Sequence, residues 1–99
     1  MARFIVVDRG TGRVYGDTAR FSGDGKVVSP ADAVSLFDRQ VGRAPRGFGY
    51  VKPDSGCASY DVYEIPPSSS ASATVSEREA QTLIREHGSL VAALVTYNS

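Results

Sequence analysis

Apolar residues first gather as Phe4-Ile5-Val6-Val7, a near-continuous run that predicts a buried strand from Arg3 to Asp8. Arg9-Gly10-Thr11-Gly12 follows with turn chemistry. Arg13 to Phe21 then alternates around Val14, predicting the return strand of a β-hairpin. A second turn, Ser22-Gly23-Asp24-Gly25, leads into a short extended segment, Lys26-Val27-Val28. The period changes at Ser29-Pro30-Ala31-Asp32, where Ser at the N-cap, Pro at the first helical position and an early acid announce a helix. Ala33, Val34, Phe37 and Val41 carry the i, i+3, i+4 spacing of one buried face, Leu36 flanks it, and Gly42 closes the helix.

Beyond a basic loop at 43–47, Phe48 to Lys52 and Cys57 to Ile65 read as strands joined by the turn Pro53-Asp54-Ser55-Gly56, a second hairpin. In the longer strand Tyr60, Val62 and Glu64 share one side, and Asp61, Tyr63 and Ile65 the other. Pro66 to Thr74 is a Pro/Ser/Ala-rich linker. A capping box follows, either Thr74-x-x-Glu77 or Ser76-x-x-Glu79, opening a helix with Ala80, Leu83, Ile84 and His87 on one face and Gly88 at its end. Leu90, Val91, Leu94 and Val95 have helical spacing and are read as a second short helix capped by Ser89, although the same residues also suit a buried strand. The expected fold class is α+β: two β-hairpins flanking a central helix (ββαββ), then a linker and a C-terminal helical segment. Residues 1–65 form the α+β core, 66–75 the linker, and 76–99 the helical segment packed on the same core.

Composition narrows the classes. A chain of 99 residues is one folding unit, and its apolar content suffices for one modest core. Val outnumbers Leu 12 to 4, which favours strands because β-branched side chains suit a pleated surface. A multi-domain enzyme and a disulfide-stapled scaffold are excluded. No apolar stretch reaches the roughly 20 residues that cross a bilayer, and no signal peptide is read at the N-terminus. The single cysteine, Cys57, makes no internal disulfide, so a cytoplasmic location is expected. Eleven basic and eleven acidic residues cancel, yet residues 1–52 carry a balance of +4 and residues 53–99 one of −4. The halves either neutralise each other or present faces of opposite sign to partners.

The strongest local chemistry is Arg46-Gly47-Phe48-Gly49-Tyr50-Val51, which resembles the ribonucleoprotein octamer of the RNA-recognition-motif family. At strand period two, Arg46, Phe48, Tyr50 and Lys52 project from one face, two rings for stacking bases between two cations for phosphates. Arg39 and Arg43 extend the patch, and no acid falls between Asp38 and Asp54. The resemblance departs from the family beyond the octamer. Pro53 stands where an aromatic belongs, the preceding helix leaves no room for the family's intervening strand, and a turn and strand follow in place of its second helix. The local chemistry therefore stands without the family; the competing account is a Gly-rich hairpin edge whose rings bury against the helix.

Ile5-Val6-Val7-Asp8-Arg9-Gly10-Thr11-Gly12 resembles the first phosphate loop of the actin-like kinases and ATPases, but the chain is several-fold too short for that two-lobed fold, and a plain turn is expected. Asp54-Ser55-Gly56 is similar to the aspartic-protease triplet without the apolar pair that seats its Asp, and is likewise read as a turn. One His and one Cys give no metal-ligand spacing. A Cys57–His87 nucleophile and base would need the fold to bring them together. No catalytic residue, metal site or cofactor is assigned.

The expectation is a small non-enzymatic interaction module that binds a macromolecular partner through Arg39, Arg43, Arg46, Phe48, Tyr50 and Lys52. In size and want of motifs it is similar to the small inhibitors and adaptors of phages and mobile elements. A protein partner comes first, single-stranded nucleic acid on the strand at 46–52 is the alternative, a homodimer is admitted, and no membrane is involved.

Overall fold

The computed structural model describes residues 3–21, 29–40, 56–66, 74 and 76–98. In chain order these form β1 (Phe4–Asp8), β2 (Val14–Asp17), a 3-10 turn (Thr18–Phe21), α1 (Pro30–Gln40), β3 (Gly56–Glu64), α2 (Glu77–His87) and β4 (Ser89–Asn98). The architecture is mixed α+β: one four-stranded antiparallel sheet in the order β2-β1-β3-β4, with two helices. Among the described residues, no helix is long and apolar enough to cross a membrane.

The first hairpin forms where the pattern places it. Asp8 N–H donates to the Arg13 carbonyl and Gly12 N–H to the Asp8 carbonyl, both at 2.8 Å, with Gly12 at φ 75° closing the loop. The return strand is shorter than the alternation suggests, because two side chains compete for its backbone. Thr18 Oγ1 accepts the Phe4 N–H at 3.0 Å and Asp17 Oδ1 accepts the Ala19 N–H at 3.0 Å, so the chain curls into the 3-10 turn. A register shift at Val6/Val7 lets β2 send both Tyr15 and Gly16 toward α1.

α1 begins as its sequence predicts. Ser29 Oγ accepts the Asp32 N–H at 3.3 Å while the Asp32 carboxylate accepts the Ser29 N–H at 3.1 Å. Its apolar face, Ala33, Val34, Leu36 and Phe37, packs on Phe4, Val6, Tyr15, Ala58, Tyr60 and Val62. Leu36 is as deeply buried as Phe37, not a flanking residue. The Tyr15 ring stacks on Tyr60 at 5.0 Å and tilts against Phe37 at 5.4 Å.

α2 covers part of the opposite face, where Ala80, Leu83 and Ile84 meet Ile5, Val7, Val14 and Ile65. Its N-cap is Ser76, whose Oγ accepts the Glu79 N–H at 3.1 Å, so the second of the two capping boxes is the one used. At the other end Gly88 N–H donates to the Ile84 carbonyl at 2.8 Å, and a Cβ on Gly88 would stand 2.7 Å from that oxygen. Only glycine lets the chain pass so close and enter β4 within one residue.

Two expectations are corrected. Residues 90–97 lie in strand β4, not in a helix. Helical spacing at Leu90, Val91, Leu94 and Val95 coexists with strand spacing. The tie goes to the strand because it satisfies the backbone of β3 from Gly56 to Glu64 while setting Ala92 and Leu94 on the α1 core. The second hairpin is also replaced. The strand over 57–65 exists, but its partners from Tyr60 to Glu64 are β1 on one side and β4 on the other. Tyr60 and Val62 are fully buried and demand a central position, which pairing with β1 and β4 supplies. Residues 48–52 lie outside the described residues.

Candidate interaction surface

The two outer edges of the sheet are built differently. At the β2 edge, Glu77 accepts the Val14 N–H at 2.8 Å and pairs with the Arg13 guanidinium at 2.9 Å. At the end of β2, Asp17 is fully buried and accepts five hydrogen bonds: two from Arg3 (2.8 and 3.2 Å), two from Thr74 (2.6 and 3.2 Å) and one from Ala19 (3.0 Å). Burial pushes the Asp17 carboxyl up, but these donors and the Arg3 charge outweigh it and hold the group below its ordinary value. Thr74, at the end of the Pro/Ser/Ala-rich stretch, is thereby fixed to the sheet.

β4 is the contrary case. Its ten residues, Ser-Leu-Val-Ala-Ala-Leu-Val-Thr-Tyr-Asn, include no charge, no proline and no glycine. Among the described residues β3 is its one partner strand, so alternate N–H and C=O groups of β4 point outward along the free edge. A register shift opposite Val62/Tyr63 leaves Val91 as an extra residue. Ala92 and Leu94 turn to the α1 side, whereas Leu90, Ala93 and Val95 pair with Tyr63, Asp61 and Ser59 on the side shared with α2. α2 packs toward β2 and leaves this half of the face open. Leu90 is 57%, Val91 44% and Val95 53% exposed. These three are the exposed large apolar side chains among the described residues, and they lie within six residues of one another on one strand. The Arg9–Asp61 ion pair, at 2.6 Å, borders the stripe from β3. Its hydrogen bond and the Asp61 charge raise the Arg9 guanidinium above its ordinary value.

Of the residues chosen from the sequence, Arg39 sits on α1 near its C-terminal end, with its side chain outside the described residues. Arg43, Arg46, Phe48, Tyr50 and Lys52 also lie outside the described residues. The sequence reading missed the β4 stripe by taking that segment as a second short helix. The signal was present as an uncharged run from Gly88 to Ser99 that carries Val91, Val95, Thr96 and Tyr97, residues that favour strands.

Other candidate chemistry is resolved locally. The loop at Asp8 is a turn: the carboxylate accepts the Gly10 and Thr11 N–H groups at 2.8 and 3.3 Å, occupying donors that a phosphate would need. Cys57 is exposed at one end of β3, and His87 precedes the segment that pairs with Glu64 at the other. Seven strand residues at about 3.3 Å each put these ends roughly 23 Å apart, so the pair forms no nucleophile and base within one chain. Among the described residues no three His, Cys, Asp or Glu side chains converge as a metal site. Comparison with known protein families, with curated protein sequences and with solved structures returns no match.

Proposed function

We propose that this protein is a small non-enzymatic interaction module that docks a macromolecular partner, and that β4 is its docking element. One observation carries the reading: a long, uncharged strand with β3 as its one partner strand among the described residues exposes Leu90, Val91 and Val95 together. Proteins ordinarily shorten, charge or cover such an edge, because it templates pairing with another chain, and β4 carries only the one-residue bulge at Val91. Partner binding by strand addition draws its affinity from main-chain hydrogen bonds and its selectivity from side chains at alternate positions, both of which β4 presents.

A photo-crosslinking side chain placed at Val95 tests this in the cells that carry the gene. Adducts of discrete mass are expected from Val95 and not from Glu79, an exposed position on α2. A Val95 probe that yields only free chain overturns the reading. Adducts that collapse on nuclease treatment transfer it to single-stranded nucleic acid, the role proposed for Arg46, Phe48, Tyr50 and Lys52.

A further inference from the structure

We infer that the occupant of the β4 edge is β4 of a second copy of this chain, the two sheets joining antiparallel into one of eight strands. The inference rests on the reading of β4 as the docking element. It adds the partner and the register.

A strand related to its neighbour by a two-fold axis normal to the sheet lies antiparallel to it, and each face of one sheet continues into the same face of the other. Such an isologous contact requires that the strand complement itself. β4 does so about Ala93. With the axis there, Ala93 faces Ala93 of the second copy, and the small side chains let the backbones close to strand spacing. Toward α1, Ala92 and Leu94 of one copy meet Leu94 and Ala92 of the other. On the open face, Val91 is the extra residue of the register shift, so Leu90 occupies the place two ahead of Ala93 and falls opposite Val95. The two most exposed apolar side chains of the strand, Leu90 at 57% and Val95 at 53%, thus cover one another twice in the dimer.

Charge argues for the same occupant. A strand without a charged side chain over ten residues offers a charged partner nothing to pair with, and its best complement is another uncharged strand. The Arg9–Asp61 pair, already neutralised within the chain, lies outside the seam. A seam of one strand pair is small, so exchange at micromolar concentration is expected, and not a permanent dimer.

The test is sedimentation equilibrium of the full-length chain from about 1 to 100 µM, a range that brackets weak association. Wild type is expected to dimerise. In Leu90→Lys/Val95→Lys the predicted register sets a lysine against a lysine twice, and the dissociation constant should rise by about 30-fold or more. In Leu90→Lys/Val95→Glu the same two contacts become opposite charges, and dimerisation should return to within about 10-fold of wild type. Both sites are exposed, so circular dichroism and melting temperature should stay near wild type. A wild-type monomer at 100 µM overturns the second copy as occupant, while the Val95 crosslink separately decides whether β4 docks anything. A dimer that ignores both double variants, or a charge swap that fails to restore what the double lysine removes, overturns the seam.

Discussion

The edge at β2 and the edge at β4 belong to one sheet and solve the same problem in opposite ways. β2 is four residues long, gives its Val14 N–H to Glu77, and runs into a buried carboxylate that gathers Arg3, Ala19 and Thr74. β4 is ten residues long and has none of these closures among the described residues. Charged groups thus terminate one side of the sheet and are absent from the strand at the other. A small domain can close one edge with a few ionised side chains and leave the opposite edge to apolar ones.

Asp17→Ala should produce the largest effect, because it removes the acceptor of five buried or partly buried hydrogen bonds and the partner of Arg3. A loss of about 3–5 kcal/mol is expected from urea unfolding, a large fraction of the stability of a domain this size. A loss under about 1 kcal/mol would mean that the closed edge does not depend on this clasp. The same group sets an acid dependence. Its folded pKa lies below the ordinary 3.8, so the unfolded chain binds more protons between the two values. The stability it supplies is complete above the ordinary value and is lost as pH falls through the folded one. The urea midpoint of wild type should therefore begin to approach that of Asp17→Asn as pH falls below the ordinary value and meet it only below the folded one, and parallel curves would refute the assignment.

Gly16→Ala ranks next. A methyl at this position would stand 2.8–3.0 Å from three atoms of the Phe37 ring, which is itself held by Tyr15. Overpacking should cost about 1–3 kcal/mol. Trimming the ring in Phe37→Leu should relieve part of it, so that the double variant is less destabilised than the sum of the singles. Strict additivity would show that the ring moves aside freely.

Glu77→Ala should have the smallest effect, near 1 kcal/mol, since the Arg13 pair is half-exposed and one backbone bond is lost. Its sharper readout is hydrogen exchange. The Val14 amide should exchange faster in the variant, moving the closed edge toward the state of the open one; unchanged protection would mean that Glu77 is not the seal.

Much of this fold could be read before any coordinates. The Ser29–Asp32 cap, the first hairpin and the Ser76–Glu79 cap, one of two offered, rest on contacts within a few residues, and the two sides of β3 follow from alternation along the strand itself. What escaped was decided at a distance. The partners of β3 come from the two ends of the chain, and no turn between neighbours announces Val6 beside Val62 or Val62 beside Ala92. Leu90 to Val95 fits helix and strand alike, and only the unmet backbone of β3 separates them. The Asp17 clasp was invisible for a similar reason: Arg3 and Thr74, 14 and 57 residues away, carry no local sign that they meet one carboxylate. The open stripe on β4 became legible once the strand was recognised, because an uncharged alternating edge exposes every second side chain.

The placement of β1 beside β3 has a kinetic consequence. The centre of the sheet joins Phe4 to Glu64 and Asp8 to Tyr60, so its first central rung must close a loop of more than fifty residues before any neighbouring rung rewards it. The β1–β2 hairpin and the α2–β4 turn are local and can form early, but neither buries a core alone. The chain should consequently fold slowly for its length, with its last and longest strand held at the end of α2 and left waiting for the middle of the sheet to arrive.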